Sequence, residues 1–202
     1  MDCPDCGMGY CPDAPADRKE HSDYHDKVVH GLRIRPATSD QVIAAQSDCQ
    51  ILLVTQRSKL IQRDRVREIG TLANRETRFD GGVAAGLGAP DASDTHAYVL
   101  RRAVRAVGLL MIHRCSKIWR TSWAEYAQGK WKQLPEHPPT WSIAYIWIHR
   151  EHRRRGYASA LARTALKDLN CPLEAVGFYP PFTEAGEALA RSLCPTTFLI
   201  AK

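Results

Sequence analysis

The sequence predicts an α/β fold, a mixed central sheet with flanking helices, preceded by a small metal-binding module. Three observations carry that expectation. A cysteine pair and a histidine pair stand within the first 30 residues at ligand spacing, Cys3-x2-Cys6 and His21-x3-His25. Beyond them, strand-like and helix-like stretches alternate to the end of the chain. Near residue 150 a basic glycine turn, Arg153-Arg154-Arg155-Gly156-Tyr157-Ala158, joins a strongly apolar run to an amphipathic one. The boundaries follow: residues 1–30 form the module and residues 31–202 the α/β domain.

Each element has a local reason. Residues 1–30 are rich in Asp, His and Cys and poor in aliphatics, so they cannot build an apolar core alone. Ile51–Thr55 is a short β-branched run and predicts a strand. Lys59–Arg75 places Leu60, Ile61, Val66, Ile69 and Leu72 at helical spacing. Asp80–Asp94 has no periodicity and predicts a loop. Tyr98–Arg102 and Ala106–His113 predict two strands joined tightly at 103–105. Pro135, Pro138 and Pro139 make 129–140 a loop. Trp141–Ile148 predicts a strand, Tyr157–Leu169 a helix, Leu173–Tyr179 a strand, Thr183–Leu193 a helix and Thr196–Ala201 a closing strand.

Composition narrows the function classes. Hydrophobic residues make up 44% and charged residues 25% of 202, enough for a packed core without disulfides. No run approaches the ~18 apolar residues of a membrane span, and the acidic start lacks a signal peptide's basic flank, so an intracellular, cytoplasmic or nuclear, protein with no membrane partner is expected. The formal charge of +6 favours acidic partners without choosing among them. Seven cysteines, of which only Cys3, Cys6 and Cys11 cluster, argue for reduced thiols rather than a disulfide frame.

A two-residue gap lets both thiolates of one turn face a single ion, and a three-residue gap sets two histidines one helical turn apart. Cys3, Cys6, His21 and His25 are therefore the expected zinc ligands, with Cys11 and His30 as competing ones. Asp17, Glu20, Asp23 and Asp26 on the same helix repel phosphate, so nucleic acid is the less favoured partner of this module.

The glycine turn points to a pyrophosphate. A helix N-terminus offers unpaired N–H groups and partial positive charge. Gly156 permits close approach, Ala158 keeps the next position small, and Arg153, Arg154 and Arg155 supply charge-assisted contacts. No Gly-Lys-Ser/Thr marks a Walker loop, and no Gly-x-Gly-x-x-Gly marks a dinucleotide fold.

The turn fits the Arg/Gln-x-x-Gly-x-Gly/Ala signature of the GNAT superfamily of N-acetyltransferases. With the front module it resembles the sister-chromatid cohesion acetyltransferases, in which a Cys2His2 finger precedes a GNAT domain. The matching text is Cys3 to Tyr10, His21 to His25, Val107-Gly108-Leu109-Leu110, Ile143 to Ile148, Arg153-Arg154-Arg155, Ala158-Ser159, Thr183 to Cys194 and Phe198-Leu199-Ile200. The resemblance covers roughly residues 1–32 and 106–202. It departs at two points. Ala144 stands where that family has serine, and Pro180-Pro181-Phe182-Thr183 where it has a Ser-Asp-Pro-Thr stretch.

The resemblance implies acetyl-CoA as cofactor, held by the backbone of Trp147 and Ile148 and by Arg153, Arg154, Arg155, Gly156, Tyr157 and Ala158. It implies direct attack by a primary amine, a protein lysine foremost, between splayed strands 143–148 and 173–179. The candidates for proton handling are Tyr145, Tyr179 and Glu174, with His149 and His152 flanking the phosphates. The alternatives are a catalytically silent acyl-CoA-binding module and a zinc-finger nucleic-acid-binding protein.

Overall fold

A computed structural model describes residues 1–77, 87 and 94–202. Helix α1 (Pro15–His30) leads into the two-residue strand β1 (Leu32–Arg33). Then follow β2 (Gln41–Gln46), β3 (Cys49–Thr55), α2 (Leu60–Thr77), β4 (Thr95–Arg102), β5 (Arg105–Cys115) and β6 (Ile118–Ser122). The second half holds α3 (Trp123–Ala127), β7 (Lys132–Gln133), β8 (Thr140–Ile148), α4 (Tyr157–Asp168), β9 (Gly177–Phe178), α5 (Glu184–Leu193) and β10 (Thr197–Ala201).

One mixed sheet runs in the order β2-β3-β4-β5-β8-β9-β10-β6-β7, with β1 added to β5. Pairing is antiparallel from β2 to β8, parallel from β8 through β9 to β10, and antiparallel again at β6. Strand alternation gives the sheet two apolar faces. Tyr98, Leu100, Leu110, Ile112, Ile143 and Phe178 pack beneath Leu161, Ala165 and Leu166 of α4 and Ala190 and Leu193 of α5. On the other face Leu52, Val99, Leu109, Met111, Tyr145 and Trp147 meet Val66, Ile69 and Ala73 of α2.

The expected elements appear with modest shifts, and two differ in kind: the expected loop 129–140 holds the two-residue strand β7, and the expected strand Leu173–Tyr179 is cut short. Within the expected strand Leu173–Tyr179, only Gly177 and Phe178 are strand, and Leu173–Ala175 form a 3-10 turn. The Ala175 and Val176 amides donate back to Pro172 O at 3.0 Å and Leu173 O at 3.4 Å, so they are spent within the turn and the strand is shortened. The Asp80–Asp94 loop falls almost wholly outside the described residues. Strands β2 and β6 escape sequence reading because neither is a sustained apolar run: β2 is exposed or half-buried throughout, and β6 buries only Ile118 and Thr121, with no period-two pattern.

Candidate active site and metal centre

The central feature is a parting of strands. Strands β8 and β9 pair only at Ser142↔Gly177 and Ile143↔Phe178, and the Tyr179 amide donates to Ile143 O at 3.1 Å. Ala144 is an extra residue at a bulge, since Met111 pairs with Tyr145 while Ile112 pairs with Ile143. Strand β8 runs on to Ile148 without β9 beside it. The His149 amide donates to Val107 O on β5, so alternation turns the N–H groups of Ile146 and Ile148 to the open side. There a solvent-open cleft of ≈ 200 Å³ is lined by Tyr145, Ile146, Phe178, Tyr179, Phe182 and Leu189, among others.

Beyond β8 the chain turns into α4. Gly156 takes φ 76 and Arg154 φ 61, both left-handed. Gly156 is the N-cap of α4, and no side chain caps the helix. A Cβ on Gly156 would meet no atom within 4 Å, so its role is the left-handed turn rather than relief of crowding inside the protein. Uncapped N–H groups on the first turn of a 12-residue helix, beside an open space, fit a pyrophosphate. Arg154 and Arg155 are exposed and free to reach it.

Arg153 does not fit its expected phosphate role. Its Nε donates to Ile148 O at 2.9 Å and its guanidinium pairs with Glu76 of α2. Trp147 Nε1 also donates to Glu76, at 2.8 Å, so Glu76 ties α2 to both the strand and the turn. The side chains of Trp147 and Ile148 are buried on opposite faces, which leaves only their backbone for a cofactor. The Tyr157 hydroxyl accepts from Cys49 Sγ at 3.7 Å and Ala158 packs on the core, so these two also offer backbone alone.

The proton-handling candidates separate. Tyr145 and Tyr179 both line the cleft. Burial raises the pKa of each, and the Tyr145 hydroxyl is buried with no hydrogen-bond partner among the described residues. Glu174 is a correction: it is exposed on the 3-10 turn before β9 and lies outside the cleft lining. The shortened strand puts it at the end away from the open side. His152 is depressed by burial, and His149 serves docking, described next.

At the front of the chain Cys3, Cys6, His21 and His25 converge, their ligand atoms all within 4.8 Å of one another. Neither Cys11 nor His30 belongs to the cluster. The Cys3 thiol is lowered to about 6, first by the Cys6 backbone N–H and also by His21, which favours the thiolate a metal binds. The Cys6 thiol is raised by burial and by Cys3 beside it. His21 Nε2 is buried without a hydrogen-bond partner, while its ring stacks on Tyr10 at 3.8 Å. Two thiols and two imidazoles, one of them with an orphaned ring nitrogen, are a donor set suited to tetrahedral zinc.

Sequence reasoning missed how this module sits on the sheet. Arg105 grips Asp26 of α1 with both guanidinium nitrogens at 2.7 Å and donates to Gly31 O at 2.8 Å. The His149 ring nitrogen Nε2 lies 3.0 Å from Val28 O, and Arg150 donates to Asp5 O at 3.0 Å. Gly31 has φ 83, and a Cβ there would lie 2.6 Å from Ala106 O, so the crossing into β1 demands glycine. The only sequence signal was a set of acidic residues on α1 that the zinc did not need.

Two family models match the chain. The zinc-finger of acetyl-transferase ESCO covers residues 1–27, and the ESCO1/2 acetyl-transferase covers residues 137–201. N-acetyltransferase ESCO2 of Mus musculus is 26% identical over 98% of this chain and 34% of its own length. The Danio rerio protein of that name is 23% identical over 98% of this chain and 35% of its own. This chain thus spans about a third of the length of the curated relatives it matches. Among solved structures, the xEco2 acetyltransferase domain bound to a CoA conjugate superimposes with a TM-score of 0.65 at 22% identity. That match covers 81% of this chain and 97% of the other. A second structure of the xEco2 domain gives 0.64 at 20% identity, covering 83% and 98%. The fold is the GNAT fold.

Proposed function

We propose that this chain is an ESCO-type acetyltransferase of the GNAT superfamily that moves an acetyl group from acetyl-CoA to a primary amine, a protein lysine, by direct attack. The observation that carries the reading is the parting of β8 from β9 after Ile143, immediately before the Gly156 turn. It leaves strand backbone free where a pantetheine arm needs partners and places helix N–H groups where a pyrophosphate would end. The division into a module at 1–30 and a transferase domain at 31–202 belongs to the same reading.

Each residue then has a task. The first-turn N–H groups of α4, with Arg154 and Arg155, take the phosphates. Arg153 holds the turn in place through Ile148 O and Glu76. The Ile148 N–H is a fixed donor for the carbonyl oxygen as charge builds on it. Tyr145 and Tyr179, which line the cleft, would meet the acceptor amine. Cys3, Cys6, His21 and His25 would hold a zinc ion, which would supply structure to this module.

Calorimetric titration with acetyl-CoA, followed by mass spectrometry of lysine peptides incubated with it, tests the proposal. Binding with acetylated lysine is the expected outcome. Binding without transfer means a silent acyl-CoA module, and no binding defeats the reading.

A further inference from the structure

Near its end β5 carries a histidine for which the acetyl-transfer scheme has no use. His113 follows Leu109 and Met111 on the sheet face that carries α2, and pairs in register with Ser142 of β8. Its Nε2 lies 2.6 Å from the Tyr179 hydroxyl, and the two rings are 4.7 Å apart. Tyr179 is thereby held twice, by its amide on Ile143 O and by its hydroxyl on the imidazole. It is also one of the residues lining the cleft.

We infer that His113 stores the proton released by the acceptor amine, receiving it through the Tyr179 hydroxyl. The inference rests on the acetyltransferase reading. As the amine nitrogen bonds to the thioester carbonyl carbon, that carbon's bond to sulfur breaks and leaves its electron pair on sulfur. The nitrogen carries one proton too many. That proton passes to the Tyr179 oxygen while the hydroxyl's own proton passes to His113 Nε2, so no tyrosinate forms. The thiolate takes a proton from water, and His113 returns one to water when the product leaves.

The surroundings suit the two roles. Burial raises Tyr179, with Cys115 as a further cause, and this disfavours an ionised tyrosine. Burial alone lowers His113 from 6.5, so its ring is neutral and able to accept a proton at pH 7. Among the described residues, Tyr179 just past β9 faces the His113 ring, and Cys115 on β5 stands beside Tyr179.

The test compares wild type, His113→Gln, Tyr179→Phe and the double variant, using acetyl-CoA and poly-L-lysine across pH 5–9. Each single change should lower kcat by roughly 10²-fold with little change in KM for acetyl-CoA. The double variant should be no slower than the worse single one, since both changes break one relay. The wild-type rate should show a break below pH 6.5, where His113 becomes protonated, and His113→Gln should lose it. Coenzyme A alone should also move the His113 imidazole nitrogen resonance in wild type but not in Tyr179→Phe, a readout that needs no acceptor. An unmoved resonance in protein that binds coenzyme A overturns the relay. So does an active His113→Gln enzyme that keeps the wild-type rate and pH break. Absence of acetylated lysine in wild type instead counts against the transferase reading.

Discussion

Helices α1 and α4 are built on opposite principles. Helix α1 is the longer, with 16 residues against 12, yet none of its residues is buried. Helix α4 buries Leu161, Ala162, Ala165 and Leu166 against the sheet. At ~1.5–3 kcal/mol for a fully buried leucine, α4 is held by its apolar face. Helix α1 has no such term and rests on four ligand atoms and a few polar contacts. The difference shows what a metal substitutes for: a helix with no core of its own can be fixed by convergence on an ion. It also shows where such a helix touches its host. Its contacts fall on Arg105 and His149, while Arg150 reaches Asp5 in the turn before the helix, and both His149 and Arg150 lie in the segment between β8 and the Gly156 turn.

Removing zinc should break the comparison most completely. Structural zinc is worth ~10–16 kcal/mol in isolated finger peptides, far more than any other contact of α1. Chelation, or Cys6→Ser, should melt residues 1–30 while the sheet keeps its own unfolding transition. Hydrogen exchange should show α1 amides losing protection and those of β5 and β10 keeping theirs. Because His149 and Arg150 lose their partners, coenzyme A affinity should fall as well, by a few-fold rather than to nothing. Continued protection of α1 without metal would show that its polar contacts suffice.

Gly156 sharpens the other side of the comparison. Its φ of 76 is a conformation that branched side chains avoid, at a cost of ~1–3 kcal/mol. Gly156→Val should therefore either strain the turn or shift it, and calorimetry should show a severe loss of coenzyme A binding with little change at the zinc site. Gly156→Ala should be milder, at about 1 kcal/mol, since only the backbone preference changes. Equal affinity in Gly156→Val and wild type would remove the turn from the cofactor site.

The sequence disclosed those parts of the molecule whose cause is local. Ligand spacing, the glycine turn and the apolar run 141–148 each depend on neighbours within a few residues, so all three could be read directly. What stayed hidden is held together from a distance. Arg153 looked like a phosphate ligand because an arginine run beside a glycine turn suggests it, but Glu76 lies 77 positions away and claims the guanidinium. His113 drew no notice because its partner Tyr179 is 66 residues on. Glu174 belongs to the cleft only if 173–179 is a full strand, and the 3-10 turn removes it. Asp26 gave only half a signal: the charge was visible as a mark against nucleic acid, its partner Arg105 was not.

That Asp26–Arg105 pair offers the smallest effect and the finest test of how α1 is held. The Arg105 guanidinium holds the Asp26 carboxyl below 3.8, with Arg33 and His30 adding to the same direction. A carboxylate with a depressed folded value contributes stability that is fully present above its unfolded value and is lost as the pH falls through the folded one. Docking should thus be insensitive to pH above about 4 and weaken only below it. The side chains are 35% and 18% exposed, so solvent screens the pair and its worth is no more than about 1 kcal/mol. Asp26→Asn should leave zinc content unchanged, lower the melting temperature slightly at neutral pH, and erase the difference from wild type under acid. Moderate salt should shrink the gap in the same way. The contrast with Cys6→Ser is the informative part: one variant should release α1 from its metal, the other only from its host. If the Asp26→Asn protein lost zinc as readily as the cysteine variant, docking and metal binding would be a single cooperative event.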